Sequence, residues 1–121
     1  MGSEKAVLDG SKAIRGGIPL VFPNFGAWEC GPSHGFARIS EWTWDEAAAE
    51  AGDTEDATRA TFVLEDNEQT RAMWKHSFRL EYTVCLTDST LETTLKVCVD
   101  GEFLSPLLCY SFVKLRCIVV V

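Results

Sequence analysis

Alternation of apolar and polar residues between Phe78 and Val99 constrains the fold of this chain more than any other feature. Apolar residues take every second position of Phe78–Leu86 and, with one threonine among them, of Leu91–Val99. A period of two places alternate side chains on opposite faces of a β-strand. The polar residues Thr87–Thr90 between the two runs suit a turn. The pattern therefore predicts a β-hairpin with one apolar face.

Two further segments have strand character. Ser40–Asp45 alternates polar and aromatic residues, which predicts a strand with Trp42 and Trp44 pointing inward, and Thr61–Glu65 is a second strand candidate. The acidic, alanine-rich stretch 46–56 is too short for a stable isolated helix, so we expect a solvated connector with at most one helical turn. Strands without strong helical periodicity predict an all-β fold, an antiparallel β-sandwich in one domain.

The charge of the chain excludes one class of partner. Its 121 residues carry a formal net charge of -7, whereas nucleic-acid backbones select surfaces rich in Lys and Arg. We therefore expect no nucleic-acid partner. The apolar stretch 103–121 is interrupted by Pro106, Lys114 and Arg116, which argues against a membrane span. We expect no membrane partner.

Cysteine usage favours a reducing compartment. The five cysteines are widely spaced, form no CxxC pair and follow no apolar leader, so we expect reduced thiols and a cytoplasmic location. Cys30 and His34 have a spacing that metal ligands can adopt, but no second Cys/His pair follows, and structural zinc takes four ligands. We expect no metal site.

Basic residues cluster in one Gly- and Pro-rich segment, from Lys12 to Arg38, of this acidic chain. Two interpretations are open: a loop whose arginines pair with the surplus carboxylates, or an anion site. Two guanidinium groups can hold a phosphate through paired hydrogen bonds, while glycines let backbone N–H groups approach it. Arg15 and Arg38 are the candidate pair. His34 can exchange protons near neutral pH, although a loop histidine is often structural.

Several separate motifs of the chain share their order and spacing with one known family. Together they resemble the glucose-6-phosphate 1-epimerase (hexose-6-phosphate mutarotase) family over about residues 4–97, whereas residues 98–121 depart from its pattern. The motifs are Asp9–Gly26, His34–Arg38, Ser40–Trp42, Thr70–Trp74, His76–Phe78 and Leu91–Val97.

The resemblance implies a galactose mutarotase-like β-sandwich, of which this chain would hold only the N-terminal part. It also implies an isomerase that interconverts the α and β anomers of hexose 6-phosphates without a cofactor. Arg15 and Arg38 would bind the phosphate, and His34 would line the sugar pocket as the candidate catalytic residue. Asn24 stands where the family usually has glutamine, and would remain a substrate-binding residue although it is one methylene shorter.

The family's main acid, a histidine, and its base, a glutamate, are expected downstream of Leu91–Val97, and neither is present as expected. We therefore expect residues 1–121 to form a single partial domain with a premature or alternative terminus. The alternatives are a non-catalytic carbohydrate or phosphosugar-binding remnant, or a chain that does not fold alone. An incomplete sandwich would leave sheet edges exposed and favour self-association.

Overall fold

The computed structural model describes residues 12–13, 17–50, 56–100 and 113–120. The chain divides into two compact units. The first unit contains residues 1–41 and 68–75, and the second contains residues 42–67 and 76–121.

The second unit is a single antiparallel sheet whose strand order follows the chain. This confirms the predicted antiparallel β class, and the described residues supply one sheet of the expected sandwich. A short helix, α1 (Glu46–Glu50), joins the first two strands. The strands are β1 (Thr43–Trp44), β2 (Thr58–Glu65), β3 (Ser77–Leu86), β4 (Thr90–Asp100) and β5 (Val113–Val120).

The predicted hairpin is confirmed as β3 and β4. Its register pairs Phe78 with Val99 at one end and Leu86 with Leu91 at the other. The Thr87 side chain closes the turn, because its Oγ1 accepts a hydrogen bond of 3.0 Å from the Thr90 amide. The Thr87 amide in turn donates to the Thr90 carbonyl at 2.9 Å. This turn fixes which residues face each other, and so places all the apolar positions of the hairpin on one face.

The core of the sheet lies on that apolar face. Leu64, Leu80 and Val97 are cross-strand neighbours on β2, β3 and β4, and all three are buried. Burying a side chain of this size stabilises a fold by about 1.5–3 kcal/mol. On the opposite face, the Arg79 guanidinium bonds both Glu65 and Glu81. The sequence period of two therefore separates an apolar face from a charged one.

The prediction that both tryptophans point inward is wrong for Trp44. This side chain is 54% exposed, whereas Trp42 is half-buried with its ring centroid 6.3 Å from that of Tyr82. Among the described residues β1 pairs only with Val63 and Phe62 of β2, so in the described sheet it is an edge strand with a neighbour on one side. A large side chain at such an edge lacks the second flanking strand that would enclose it.

Two short helices lie between strands in the order of the chain. The first was predicted and the second was not. α1 confirms the expected turn, and Asp45 Oδ1 caps it by accepting a hydrogen bond of 3.1 Å from the Ala48 amide. The second helix, α2 (Glu68–Met73), lies in a segment for which no helix is predicted above. An N-cap signal, Asn67 before an acidic first turn, was present there. Within the described residues, neither helix nor any other is long and apolar enough to cross a bilayer.

The first unit is built around aromatic rings. Phe22 makes edge-to-face contacts with Phe36 and Trp74, at centroid distances of 5.9 and 5.2 Å. Phe36 leads into a 3₁₀ turn, Ala37–Ile39, and both Phe36 and Ala37 are almost fully buried. Aromatic pairs of this geometry contribute about 0.5–1.5 kcal/mol each beyond their burial. They hold the base of the loop that carries the candidate site residues.

Candidate functional site

The loop between Phe22 and Gly35 closes on itself. Phe22 and Gly35 form an isolated parallel bridge, and the Phe22–Pro23 peptide bond is cis. Near the middle of the loop, the Gly26 carbonyl accepts hydrogen bonds from the His34 amide at 2.8 Å and from Ser33 Oγ at 3.1 Å. The two arms of the loop are therefore held together by backbone and side-chain bonds.

Gly35 is the position at which the loop requires glycine. Its φ of 77° lies in the left-handed region, and a Cβ there would stand 1.9 Å from the Phe22 carbonyl oxygen. No side chain fits that space, because real contacts of a Cβ are far longer. The close approach of the two backbones fixes the position of His34, the preceding residue.

His34 is held in one orientation and one tautomer. Its φ of 66° lies in the left-handed region, which few non-glycine residues adopt, although histidine is enriched there together with asparagine and aspartate, and the Gly26 amide donates a hydrogen bond of 3.1 Å to its Nδ1. A nitrogen that accepts a hydrogen bond carries no proton, so the neutral ring carries its proton at Nε2. His34 therefore offers a hydrogen-bond donor at Nε2, while Nδ1 is engaged within the loop.

The Asn24 side chain shapes the turn beside His34. Its Nδ2 donates to the Ala27 carbonyl at 3.0 Å and to the Phe25 carbonyl at 3.2 Å. Within the described part of the chain, no donor is bonded to its Oδ1. Asn24 can therefore serve a ligand only as an acceptor, through that oxygen. The predicted substrate-binding role of Asn24 stays a prediction.

Arg38 does not behave as an arginine paired with the surplus carboxylates. It is exposed, and its Nη2 donates a hydrogen bond of 2.8 Å to the Ser33 carbonyl. No carboxylate of the described segments lies within ion-pair distance of it. A neutral carbonyl anchors the guanidinium without cancelling its charge, so Arg38 can meet an anion. Arg15, which is predicted to bind the phosphate together with Arg38, lies outside the described residues.

Phe25 is not among the predicted site residues, yet it touches one of them. Its ring meets the His34 imidazole edge to face, with centroids 5.2 Å apart, and the side chain is 82% exposed. The sequence carries no signal for this contact or for the exposure of the ring. A phenylalanine in a loop has the same sequence pattern whether its ring is buried or presented to a ligand. The structure thus places Asn24, Phe25 and His34 on one loop, and it ties Arg38, from the following 3₁₀ turn, to that loop through the Ser33 carbonyl.

The cysteines and the possible metal ligands of the described residues can be placed individually. Cys30, Cys85 and Cys98 are free thiols, and Cys30 is exposed. In the described segments, no group of three or more His, Cys, Asp or Glu side chains is placed to hold a metal ion.

Comparison with known proteins gives one consistent family. A family model described as aldose 1-epimerase matches residues 2–105. A protein of Escherichia coli (strain K12), named "Putative glucose-6-phosphate 1-epimerase", is 41% identical over 70 residues, which is 56% of this chain. A protein of the same name from Cenchrus ciliaris is 36% identical over 89 residues, or 72% of this chain.

The matched segments are a small part of those relatives. They cover 22% of the Escherichia coli protein and 27% of the Cenchrus ciliaris protein. A Salmonella typhimurium protein of the same name gives 40% identity over 70 residues and the same 22% share. No solved structure matches the chain significantly.

Proposed function

The chain belongs to the aldose 1-epimerase family, and from that premise we propose that it contributes to an isomerase that interconverts the α and β anomers of a hexose 6-phosphate. The curated relatives carry the name of such an enzyme. The observation that carries the proposal is that His34 presents a donor on the loop, while Arg38, bonded to that loop through Ser33, presents a cation without a carboxylate partner among the described residues.

The proposed chemistry is proton transfer at a sugar ring. Mutarotation needs an acid that protonates the ring oxygen and a base that removes the proton of the anomeric hydroxyl, so that the ring opens and recloses. His34 Nε2 can polarise the ring oxygen or a hydroxyl by donating a hydrogen bond, but it transfers no proton in this tautomer, because Nδ1 accepts from Gly26 and loss of the Nε2 proton would leave an imidazolate. The reaction has no net redox change, and we propose that it needs no cofactor.

Substrate binding is assigned to the remaining loop residues. Arg38 binds phosphate oxygens, with Arg15 as the second guanidinium, and Asn24 Oδ1 accepts from a sugar hydroxyl. Charge-assisted hydrogen bonds of this type contribute about 1.5–3 kcal/mol each. A single phosphate contact therefore changes affinity by about tenfold or more.

A second candidate function is binding of phosphosugars without catalysis. It is favoured by the geometry of His34, which offers one hydrogen-bond donor where mutarotation needs an acid and a base on opposite sides of the ring. The two candidates differ in one observable: both predict that glucose 6-phosphate binds, and only the first predicts faster exchange of its anomers.

Anomer exchange measured by NMR on glucose 6-phosphate decides between them. We expect the chain to exchange the anomers faster than buffer does, and Arg38→Ala to lower kcat/KM at least about tenfold because a charge-assisted phosphate contact is lost. The double variant Arg15→Ala, Arg38→Ala should return the rate to the buffer level. Arg59→Ala, which removes an equal charge from an exposed position of β2, should retain the rate.

Each result has a definite meaning. A rate at the buffer level with retained binding supports the binding remnant and contradicts the epimerase. Equal losses in Arg38→Ala and Arg59→Ala would show that general charge, and no specific phosphate contact, drives the effect.

We further propose a cytoplasmic location and one partial domain over residues 1–121. The free thiols of Cys30, Cys85 and Cys98 support a reducing compartment. The family match supports a single domain, because residues 2–105 run continuously through the sequence of both compact units.

A further inference from the structure

Phe25 is the one large apolar side chain of the described loop that is almost fully exposed. Exposed apolar residues that stand singly are ordinary in proteins. Phe25 differs from such residues because its position is fixed by polar groups. The Asn24 amide donates to the Phe25 carbonyl, and the Gly26 amide, one residue further, donates to His34.

The aromatic pair leaves ring surface uncovered. The Phe25 and His34 rings meet at an interplanar angle of 74°. With 82% of the residue exposed, most of the Phe25 ring is open beside the imidazole. The loop therefore carries an open apolar ring and a hydrogen-bond donor, and Arg38, whose guanidinium pairs with no carboxylate among the described residues, is bonded to it through the Ser33 carbonyl.

This combination matches the surface of a closed sugar phosphate. A pyranose ring has faces formed by C–H groups and a rim of hydroxyls, so it is apolar on its faces and polar at its edge. An aromatic face binds such C–H surface well, and a few placed polar groups then fix its orientation. An open-chain sugar has no such flat face.

We propose that Phe25 is the sugar-stacking residue of this site. Its ring contacts the C–H face of the closed hexose, while His34 Nε2 holds a hydroxyl or the ring oxygen and Arg38 holds the phosphate. This inference rests on the proposed function and extends it: the site selects cyclic hexose phosphates over acyclic ones. Both anomers keep the stacking contact, and the open-chain intermediate loses it.

Binding of three ligands by NMR titration tests the stacking residue. Glucose 6-phosphate has a sugar ring, glucitol 6-phosphate is acyclic, and inorganic phosphate has no sugar. We expect Phe25→Leu to weaken the binding of glucose 6-phosphate by about tenfold, because the aromatic contact is lost. The Phe25→Leu variant should bind glucitol 6-phosphate and inorganic phosphate with the affinities of the wild-type chain. Phe25→Trp should retain tight binding of the cyclic ligand.

The outcomes separate this inference from the proposed function. The stacking role is wrong and the function stands if the wild-type chain exchanges anomers while Phe25→Leu binds glucose 6-phosphate as tightly as the wild-type chain. If the wild-type chain neither binds nor exchanges the sugar, the function itself fails. The high exposure of Phe25 predicts an unchanged Tm for Phe25→Leu. Should that variant unfold, weak binding by a folded Phe25→Trp would overturn the stacking role by itself.

Discussion

At the residue scale, Gly35 sets the geometry of the site. Alanine at this position would place a Cβ 1.9 Å from the Phe22 carbonyl oxygen and would also have to adopt a φ of 77°. We expect Gly35→Ala to lower the free energy of unfolding by about 3 kcal/mol or more, since left-handed backbone strain and a steric clash add. Urea denaturation followed by tryptophan fluorescence measures this loss.

Gly26→Ala is the matched control for that variant. Gly26 has a similar φ of 82°, but a Cβ there would meet no atom within 4 Å. Only the backbone penalty of about 1–2 kcal/mol should remain. Equal losses in the two variants would show that the close approach to Phe22 has no separate effect.

The sequence indicated the chemistry of the site residues better than their arrangement. A guanidinium charge and an imidazole are properties of side chains, so Arg38 and His34 could be selected without a fold. The tautomer of His34 depends on the Gly26 amide reaching Nδ1. The position of that amide is set by the closure of the loop, which the residue types do not specify.

At the scale of the elements, the charged face of the sheet links β3 to both neighbouring strands. Lys96 Nζ lies 2.9 Å from Glu81 Oε2, and Arg79 Nε lies 3.1 Å from Glu81 Oε1. The hydrogen bond from Lys96, followed by that from Arg79, lowers the pKa of Glu81 below its ordinary value of 4.5, although partial burial opposes the shift. The same contacts raise the pKa of Lys96 and of Arg79.

This network makes stability depend on pH. A carboxyl whose pKa is lower in the folded chain stabilises the fold when ionised, and that contribution is lost as the pH falls through the lowered pKa. We expect Glu81→Gln to lower the free energy of unfolding by about 0.5–1 kcal/mol near neutral pH. The loss is small because the cationic partners of Glu81 are partly solvated. The variant and the wild type should converge as the pH falls through the lowered pKa of Glu81, as urea denaturation at a series of pH values would show.

Glu65→Gln is the control within the same network. Glu65 bonds only Arg79 among the described residues and is more exposed than Glu81. Glu65→Gln should therefore lower the free energy of unfolding by less than Glu81→Gln does. A loss for Glu81→Gln that persists at acid pH would assign the effect to packing and contradict the ion pair.

Strands whose residues alternate or favour β-structure were predictable, whereas α2 and the exposure of Trp44 were not. Thr61–Glu65 was found because its residues favour strands, and the structure extends it to Thr58. The exposure of Trp44 could not be found, since alternation indicates a face but not whether a strand lies at an edge. α2 has only six residues, too few to show a helical period.

At the scale of the whole molecule, the edges of the sheet bear on association. β1 and β5 are the outer strands, each with a single hydrogen-bonded neighbour in the described sheet. We propose that chains associate through these edges, and expect Thr43→Lys on β1 to reduce the association, because lysine on an edge strand disfavours pairing. Sedimentation velocity over a series of concentrations measures it.

Ser89→Lys provides the comparison, since it adds the same charge at an exposed position in the turn between β3 and β4. It should leave association unchanged. A monomer at every concentration, or an equal effect of both lysines, would contradict pairing through the β1 edge.

The strand order β1-β2-β3-β4-β5 also bears on how the sheet is made. Each strand pairs with the strand that precedes or follows it in the chain, so the sequence separation between bonded residues stays small. Folding rates rise as this separation falls, since short loops lose little entropy on closure. The sheet can therefore grow one strand at a time behind a ribosome, with each arriving strand finding its partner already in place.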